Sequence, residues 1–348
     1  MKFIKLTYLQ YATYILIFAT LCVYAIVKCK FVLAPLTIAL LISLALSSVL
    51  SKVKSVLKSN FLSVTVVTVL LIAFLTLVLM LISSQVADFY DNYPNISDKI
   101  LTLLNKIEDY FEGLLGIKNI DVLQATEENK EQLISSGSSV LFSLFGNVGG
   151  LISYITFVPL YIFLILLYKE KIKDFLKRLF QPMQIKYKPV FDEVTTLVQN
   201  YLKGLFLVML ILGFANSIGL LILGVPYSFV LGFMVAFLGI IPYIGITIGS
   251  FLVLFVSFVI NGSVPQLIYI SILFAVIQFI EGNFITPKII GDKINLNPLL
   301  AIIVLLIGEQ LWGIVGMIVA LPLAAILFII VNNLKETTFR KPKTTATQ

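Results

Sequence analysis

Thirty-five consecutive residues, Pro226 to Ile260, carry no charged side chain, and near their middle lies Gly239-Ile-Ile-Pro-Tyr-Ile-Gly245. As one straight helix the run would measure about 52 Å, against a hydrocarbon core of about 30 Å. It is too short for two full crossings of about 20 residues each plus a turn. A hairpin that enters the membrane, turns at the Gly-Pro-Gly break and leaves on the same side satisfies both limits. Irregular backbone at membrane depth survives only where protein buries it or water reaches it. The break is therefore a candidate substrate site.

The rest of the composition sets the same environment. Of 348 residues 59% are hydrophobic and only 12% charged, with a mean hydropathy of +1.04. A soluble domain is nearer 45–50% apolar and about 25% charged, so the chain reads as a polytopic all-α integral membrane protein. Its net charge of +7 resides in lysines beside apolar spans, which membrane orientation explains better than nucleic-acid binding. With no histidine in the chain, His-dependent triads, His-containing zinc sites and His proton relays are excluded. Cys22 and Cys29 are seven residues apart in one helix, about 10 Å, and cannot pair with each other. No cofactor is expected, and no enzyme: the spans carry no paired aspartates, and their only carboxylates are two glutamates taken up below. Lys2 and Lys5 ahead of an apolar stretch resemble a signal peptide, but the run continues to Val27 without a small-x-small cleavage pattern. It is read as a retained first span.

In order, residues 1–84 form three spans: Tyr8 to Val27, Phe31 to Leu50 and Phe61 to Ser84. A serine- and lysine-rich link, Ser51 to Asn60, joins the last two. Residues 85–147 hold ten acids and four lysines, an extracytoplasmic segment with an amphipathic helix around Ile100 to Leu115. Residues 148–200 give a fourth span, Val148 to Tyr168, and a basic interfacial helix, Lys169 to Phe180. Residues 201–334 form the transport region. It contains a fifth span from Tyr201 to Leu223, the hairpin, a sixth span from Val264 to about Ile285, and a second long apolar run, Leu299 to Val331. That run is broken at Gly308-Glu-Gln-Leu-Trp-Gly-Ile-Val-Gly316 and again at Pro322, and it reads as a second hairpin. Residues 335–348 are a basic cytoplasmic tail.

Lysine bias puts the Ser51–Asn60 link, the Lys169–Val190 segment and both termini in the cytoplasm. A span plus a hairpin from outside is then followed by a span plus a hairpin from inside, an inverted-topology repeat of the kind many secondary transporters use. The expectation is six full transmembrane helices plus two re-entrant hairpins. Eight spans, two of them broken, give the same ends and stay open.

Three stretches in order carry a resemblance: LGIIPYIGITIG (Leu238 to Gly249), EGNFITPKIIGDKINLNP (Glu281 to Pro298) and GEQLWGIVGMIVALPLAAI (Gly308 to Ile326). Together they resemble the autoinducer-2 exporter family, also described as PerM-type permeases; the N-terminal half matches only in layout. The resemblance implies a plasma-membrane transporter of prokaryotic type that forms homo-oligomers. Members have been assigned export of autoinducer-2, and others sodium or lithium/proton antiport. Glu309 stands where the family pattern usually has a small residue or glycine, so the resemblance lends it no role.

The candidate substrate or ion pathway comprises Gly239, Pro242, Tyr243, Gly245, Glu281, Asn283, Gly308, Glu309, Gln310 and Asn216. Glu281 near the inner boundary is either a carboxylate pairing with Lys288 or Lys293, or a cation or proton site. Glu309, at the expected tip of the second hairpin, is a functional candidate as an intramembrane acid, or faces a water-filled vestibule. The glycines either let helices pack closely or free backbone groups for a solute. Asn216, Ser217, Gln278, Asn283 and Gln310 serve as interhelical hydrogen-bonding groups or as pathway lining. Tyr243 and Trp312 stack on a small ring or fill space.

With no G-x-x-x-x-G-K-[ST] motif for a nucleotide, the leading reading is a secondary transporter exporting a small polar solute on a proton or sodium gradient. The alternatives are an Na+(Li+)/H+ antiporter and a non-transporting scaffold. Expected partners are membrane lipids, the solute, Na+ or H+, and further copies of the chain, with no nucleic acid.

Overall fold

The structure is a computed structural model that describes residues 8–92, 148–183, 187–242, 244–290 and 297–339. The amphipathic helix expected around Ile100 to Leu115, Tyr243, Lys293 and the last part of the basic tail lie outside the described residues. The helices are α1 (Tyr8–Lys28), α2 (Lys30–Leu57), α3 (Asn60–Asn92), α4 (Val148–Leu167), α5 (Lys169–Phe180), α6 (Tyr187–Ile222), α7 (Ser228–Leu238), α8 (Ile244–Asn261) and α9 (Val264–Ile280). A π-helical turn, Glu281–Ile285, leads from α9 into the short α10 (Thr286–Ile289), and α11 (Pro298–Trp312) and α12 (Ile314–Phe339) complete the chain. Among the described residues there is no strand. Seven stretches are long and apolar enough to cross a membrane: α1, α2, α3, α6, α8, α9 with α10, and α12. The apolar α7 and α11 are shorter, as is the apolar part of α4, Tyr154–Leu167, where a fourth span was expected from Val148 to Tyr168. Large apolar side chains stand on the surface throughout, Phe18 at 70% exposure and Phe251 at 69% among them. Such a surface suits lipid and not water. The chain is a multi-pass all-α membrane protein.

Two compact units divide it. One holds Met1–Val64, Ile152–Val198 and Leu296–Gln348; the other holds Thr65–Leu151 and Gln199–Asn295. The two hairpins expected in residues 201–334 thus fall in different units.

In the first unit, α2 presents small buried residues, Ala34, Pro35 and Ala39, to its neighbours. Phe31 meets Phe157 of α4 edge-on at 5.7 Å, and Phe61 meets Phe163 at 6.1 Å. The second hairpin closes where glycine faces glycine. A methyl group on Gly308 would lie 2.5 Å from the Gly316 carbonyl oxygen, and one on Gly316 would overlap the Gly308 carbonyl. The turn itself is at Gly313, whose φ of 66° is costly for any side chain. The indole N–H of Trp312 donates to the Ile26 carbonyl at 3.1 Å. That bond pins the hairpin's tip beside the end of α1, where Lys28 rides on the Tyr24 ring as an interfacial pair.

In the second unit, α7 and α8 double back on each other. Gly249 packs on Val235, and four residues nearer the turn Gly245 abuts the Leu238 carbonyl so closely that a Cβ would overlap it. Paired positions that converge on the break mean antiparallel arms, not one interrupted rod. Gln266 donates to the Leu223 carbonyl at 2.9 Å and accepts from Asn261 at 2.8 Å. One side chain therefore bridges the residues before and after the hairpin. The core here is Leu220, Val225, Leu231, Val235, Val253 and Ile270 with their neighbours.

Several expected boundaries shift for physical reasons. The Ser51–Asn60 link is mostly helix, because Ser51 and Ser55 donate their hydroxyls to the carbonyls of Ser48 and Lys52 at 2.7 Å. Bonded back into the helix, these serines no longer compete with it. The break contracts to Lys58, which takes a left-handed φ of 55°, and Ser59. Pro322 does not interrupt α12; its ring is fully buried within the helix. α6 begins at Tyr187 instead of Tyr201, because Val190, Val194 and Leu197 pack with Phe180, Ile329 and Ile330.

The glycine contacts make a selective forecast. Gly245→Ala and Gly316→Ala should each cost at least the ~1–3 kcal/mol of an overpacked core, read as a lower unfolding midpoint in detergent. Gly282→Ala, with nothing within 4 Å of its added methyl, should leave the midpoint unchanged. A second test concerns return to one face. With Cys22 and Cys29 changed to serine, Ile222→Cys and Ser263→Cys should both react with a membrane-impermeant maleimide from the same side. Labelling from opposite sides would contradict the antiparallel α7–α8 pair.

Candidate functional site

The α9 helix opens where Pro287 follows Thr286. Proline has no N–H to close the bond to the carbonyl four residues back, and its ring crowds that carbonyl. The chain widens instead: the Thr286 N–H reaches five residues back to the Glu281 carbonyl. Single π turns of this kind interrupt helices at functional positions. Here the turn places both ends of Glu281 in use. Its side chain accepts from Gln278 at 2.7 Å and from the Thr286 hydroxyl at 3.0 Å.

A small crevice lies here, bordered by Asn216, Gln278 and Glu281, with Gly239 at the start of the hairpin's break, and the surface turned to the space is apolar. Leu212, Val235, Ile246 and Phe274 supply apolar walls. The space inside admits water-sized groups only, so the conformation is closed to a larger solute. Asn216 is held in place by its neighbour. Ser217 donates to the Phe229 carbonyl at 3.3 Å, and Gly232 of α7 approaches so closely that a Cβ would overlap the Ser217 backbone nitrogen. That backbone contact brings α6 onto α7 and leaves Asn216, 3% exposed, with its Oδ1 buried and, among the described residues, without a hydrogen-bond partner. An orphaned buried acceptor costs about 1–3 kcal/mol and calls for an explanation.

Of the candidate residues, Asn216, Gly239 and Glu281 come together around this crevice. Pro242 and Gly245 belong to the same unit and shape the break: the Ile244 N–H donates to Pro242, the Gly245 N–H to Ile241. Asn283 donates back to the Phe279 carbonyl at 2.8 Å and does not line the crevice. Tyr243 lies outside the described residues. Gly308, Glu309 and Gln310 are in the first unit. There Gly308 packs on Gly316, and Gln310 donates to Glu309 at 3.1 Å. Glu309 stands one helical turn before Gly313, whose N–H donates to its carbonyl. The bond from Trp312 to Ile26 sets that tip at the level of the charged α1–α2 junction, Lys28 to Lys30. Trp312 serves as an anchor through the same bond. Thr286 was missed by the sequence reading; the signal for it was Thr-Pro five residues after an acid. Gln278 was treated as a generic interhelical group, though three residues before Glu281 it shares a helix face. Among the described residues no group of acids and cysteines is placed to hold a metal ion.

The fold is that of a multi-pass helical membrane protein with a π-helical break in one of its long apolar helices. The family comparison sharpens it. The model of the AI-2E family transporter matches residues 13–336, and the chain belongs to that family. It is 26% identical over 263 residues to the presumed transport protein YueF of Bacillus subtilis (strain 168), covering 71% of this chain and 68% of that one. It is 26% identical over 238 residues to the presumed permease PerM of Escherichia coli (strain K12), covering 66% and 67%. A second Bacillus subtilis protein, the presumed transport protein YrrI, is 38% identical over 128 residues, 37% of this chain and 36% of that one.

The orphaned amide yields a paired forecast. Asn216→Leu, similar in size, removes a buried acceptor that nothing satisfies, so its unfolding midpoint in detergent should equal or exceed that of the parent. Gly232→Ala, equally conservative on paper, forces a methyl onto the Ser217 backbone and should lose ~1–3 kcal/mol. A sharp loss in Asn216→Leu would show that Oδ1 has a partner after all.

Proposed function

We propose that this chain is a secondary transporter that exports a small polar solute of the autoinducer-2 kind, driven by an ion gradient. The observation that carries the proposal is the crevice at the π turn. Asn216, Gln278 and Glu281 border one small apolar-surfaced space, next to the backbone break after α7. Small-solute sites have this character: mostly apolar lining with a few placed polar groups. In transporters they lie at discontinuous helices. The small volume fits an occluded conformation in which the solute enters only after the surrounding helices separate. On this reading the two hairpins are re-entrant and the protein resides in the plasma membrane as a homo-oligomer. Both termini and the lysine-rich ends face the cytoplasm.

A second reading, Na+(Li+)/H+ antiport, has one specific observation behind it. The unpartnered Asn216 oxygen and the Glu281 carboxylate are hard oxygen donors lining the same crevice, and alkali cations take oxygen ligands at such helix breaks. Glu281 would then alternate between proton and metal ion.

Reconstituted proteoliposomes separate the readings. Exporter function is expected to give gradient-dependent movement of autoinducer-2, reduced at least tenfold in Glu281→Gln. Antiport is expected to give a response of an enclosed pH dye to sodium or lithium pulses that the same substitution abolishes. A pH response with no solute movement would replace export by antiport. Neither signal, in protein that is folded and monodisperse, would leave the non-transporting scaffold.

A further inference from the structure

The unit that holds Lys169 contains an unbalanced cationic surface that transport does not use. α5 reads Lys-Glu-Lys-Ile-Lys-Asp-Phe-Leu-Lys-Arg-Leu-Phe, five bases against two acids, and none of its residues is buried. Its apolar stripe faces outward: Phe175 is 64% exposed and Leu179 50%, with Ile172 beside them. Phe180, at its end, packs with Val190 and Ile329 and fixes the helix to the unit.

Lys169 stands at the head of this helix, half-buried. Among the described residues its ammonium has no hydrogen bond or ion pair. The charges that act on it are Lys173, one turn along the same face, Glu170, and Lys54 from the end of α2. Burial first, then Lys173, pushes the Lys169 pKa below the ordinary lysine value; Glu170 opposes this and Lys54 adds to it. Glu170 pairs at 3.3 Å with Lys173, not with Lys169. Lys54 reaches only the neutral Asn60 oxygen, at 3.1 Å. Lys54 of α2 and Lys173 thus both act on the partly desolvated Lys169; among the described residues the ion pair in this group is Glu170 with Lys173, whose ammonium also lies over the Phe191 ring at 5.5 Å. Like charges gathered in this way repel unless an anion joins them.

We propose that Lys54, Lys169 and Lys173 bind the phosphate of an anionic phospholipid headgroup while Ile172, Phe175 and Leu179 enter the acyl layer. A lipid fits better than a free anion because the charge and the apolar stripe lie on one helix. A basic face over an apolar one is the pattern of helices that lie in a membrane surface, and basic clusters between helix ends take acidic headgroups. Lys171, over the Tyr168 ring at 5.2 Å, and Lys177 and Arg178 extend the same charged edge.

The test uses the full chain purified in a neutral detergent. Addition of phosphatidylglycerol is expected to raise the unfolding midpoint, while phosphatidylcholine and inorganic phosphate leave it unchanged. Each lysine near an anionic surface is worth a factor of about five in affinity, so the triple variant Lys54→Gln, Lys169→Gln, Lys173→Gln should bind phosphatidylglycerol about a hundredfold more weakly. The triple arginine variant, which keeps the charge, should retain the response. Phe175→Ser should weaken binding without altering the preference for the acidic headgroup. Should the glutamine variant fail to fold, native mass spectrometry of the parent decides, with retained phosphatidylglycerol expected in excess over phosphatidylcholine. An equal response to both lipids, an undiminished response in the glutamine variant, or a response to phosphate alone would overturn the proposal.

Discussion

Close approach of backbone to backbone is the constraint on which both hairpins depend. In lipid, helices gain little by hiding apolar surface from their surroundings, so association rests on packing at short range. Glycine permits that range. Gly245 against the Leu238 carbonyl and Gly316 against the Gly308 carbonyl are contacts that no other residue can make. A third contact of the same type, Gly232 on the Ser217 backbone, fastens α7 to α6. Remove the first two and the arms separate; remove the third and Asn216 loses its place beside the crevice. The functional candidates are thus held by residues with no chemistry of their own.

Much of this architecture was legible in the letters. Apolar run lengths located the helices, because the hydrocarbon thickness sets the length a span needs. The Gly-Pro-Gly break located the first hairpin within a residue or two. What stayed hidden has a common physical cause: local composition does not record which partner satisfies a polar group. Ser51 and Ser55 looked like loop formers, yet they bond back into α2. Gln266 carried no visible signal, and it ties together the two ends of the α7–α8 excursion. For the second hairpin the glycines flanking the break stood out more than Gly313, which makes the turn. The residues nearest the contact between the arms thus drew attention away from the residue with the unusual φ.

Glu281 illustrates how one proline can build a site at a distance. Pro287 touches no crevice residue by necessity; it only withholds a donor. The resulting π turn draws the Thr286 hydroxyl to the Glu281 carboxylate, which Gln278 secures from the preceding turn. A carboxylate with two donors keeps a defined position and is partly compensated for its removal from water. The buried Asn216 oxygen has no such compensation.

The same logic explains why charge distribution alone could not fix how deep the hairpins reach. A chain that turns back exits on the side it entered, whether its arms stop halfway or run nearly across. The lysines at the ends are therefore placed identically in both cases. Depth must be read from contacts inside the fold. In the first unit the Trp312 bond to Ile26 sets the tip near the Lys28 end of α1, so the α11–α12 pair runs much of that helix's length. In the second unit α8 has 18 residues, about 27 Å of helix, close to a full crossing, while α7 has 11, about 16 Å.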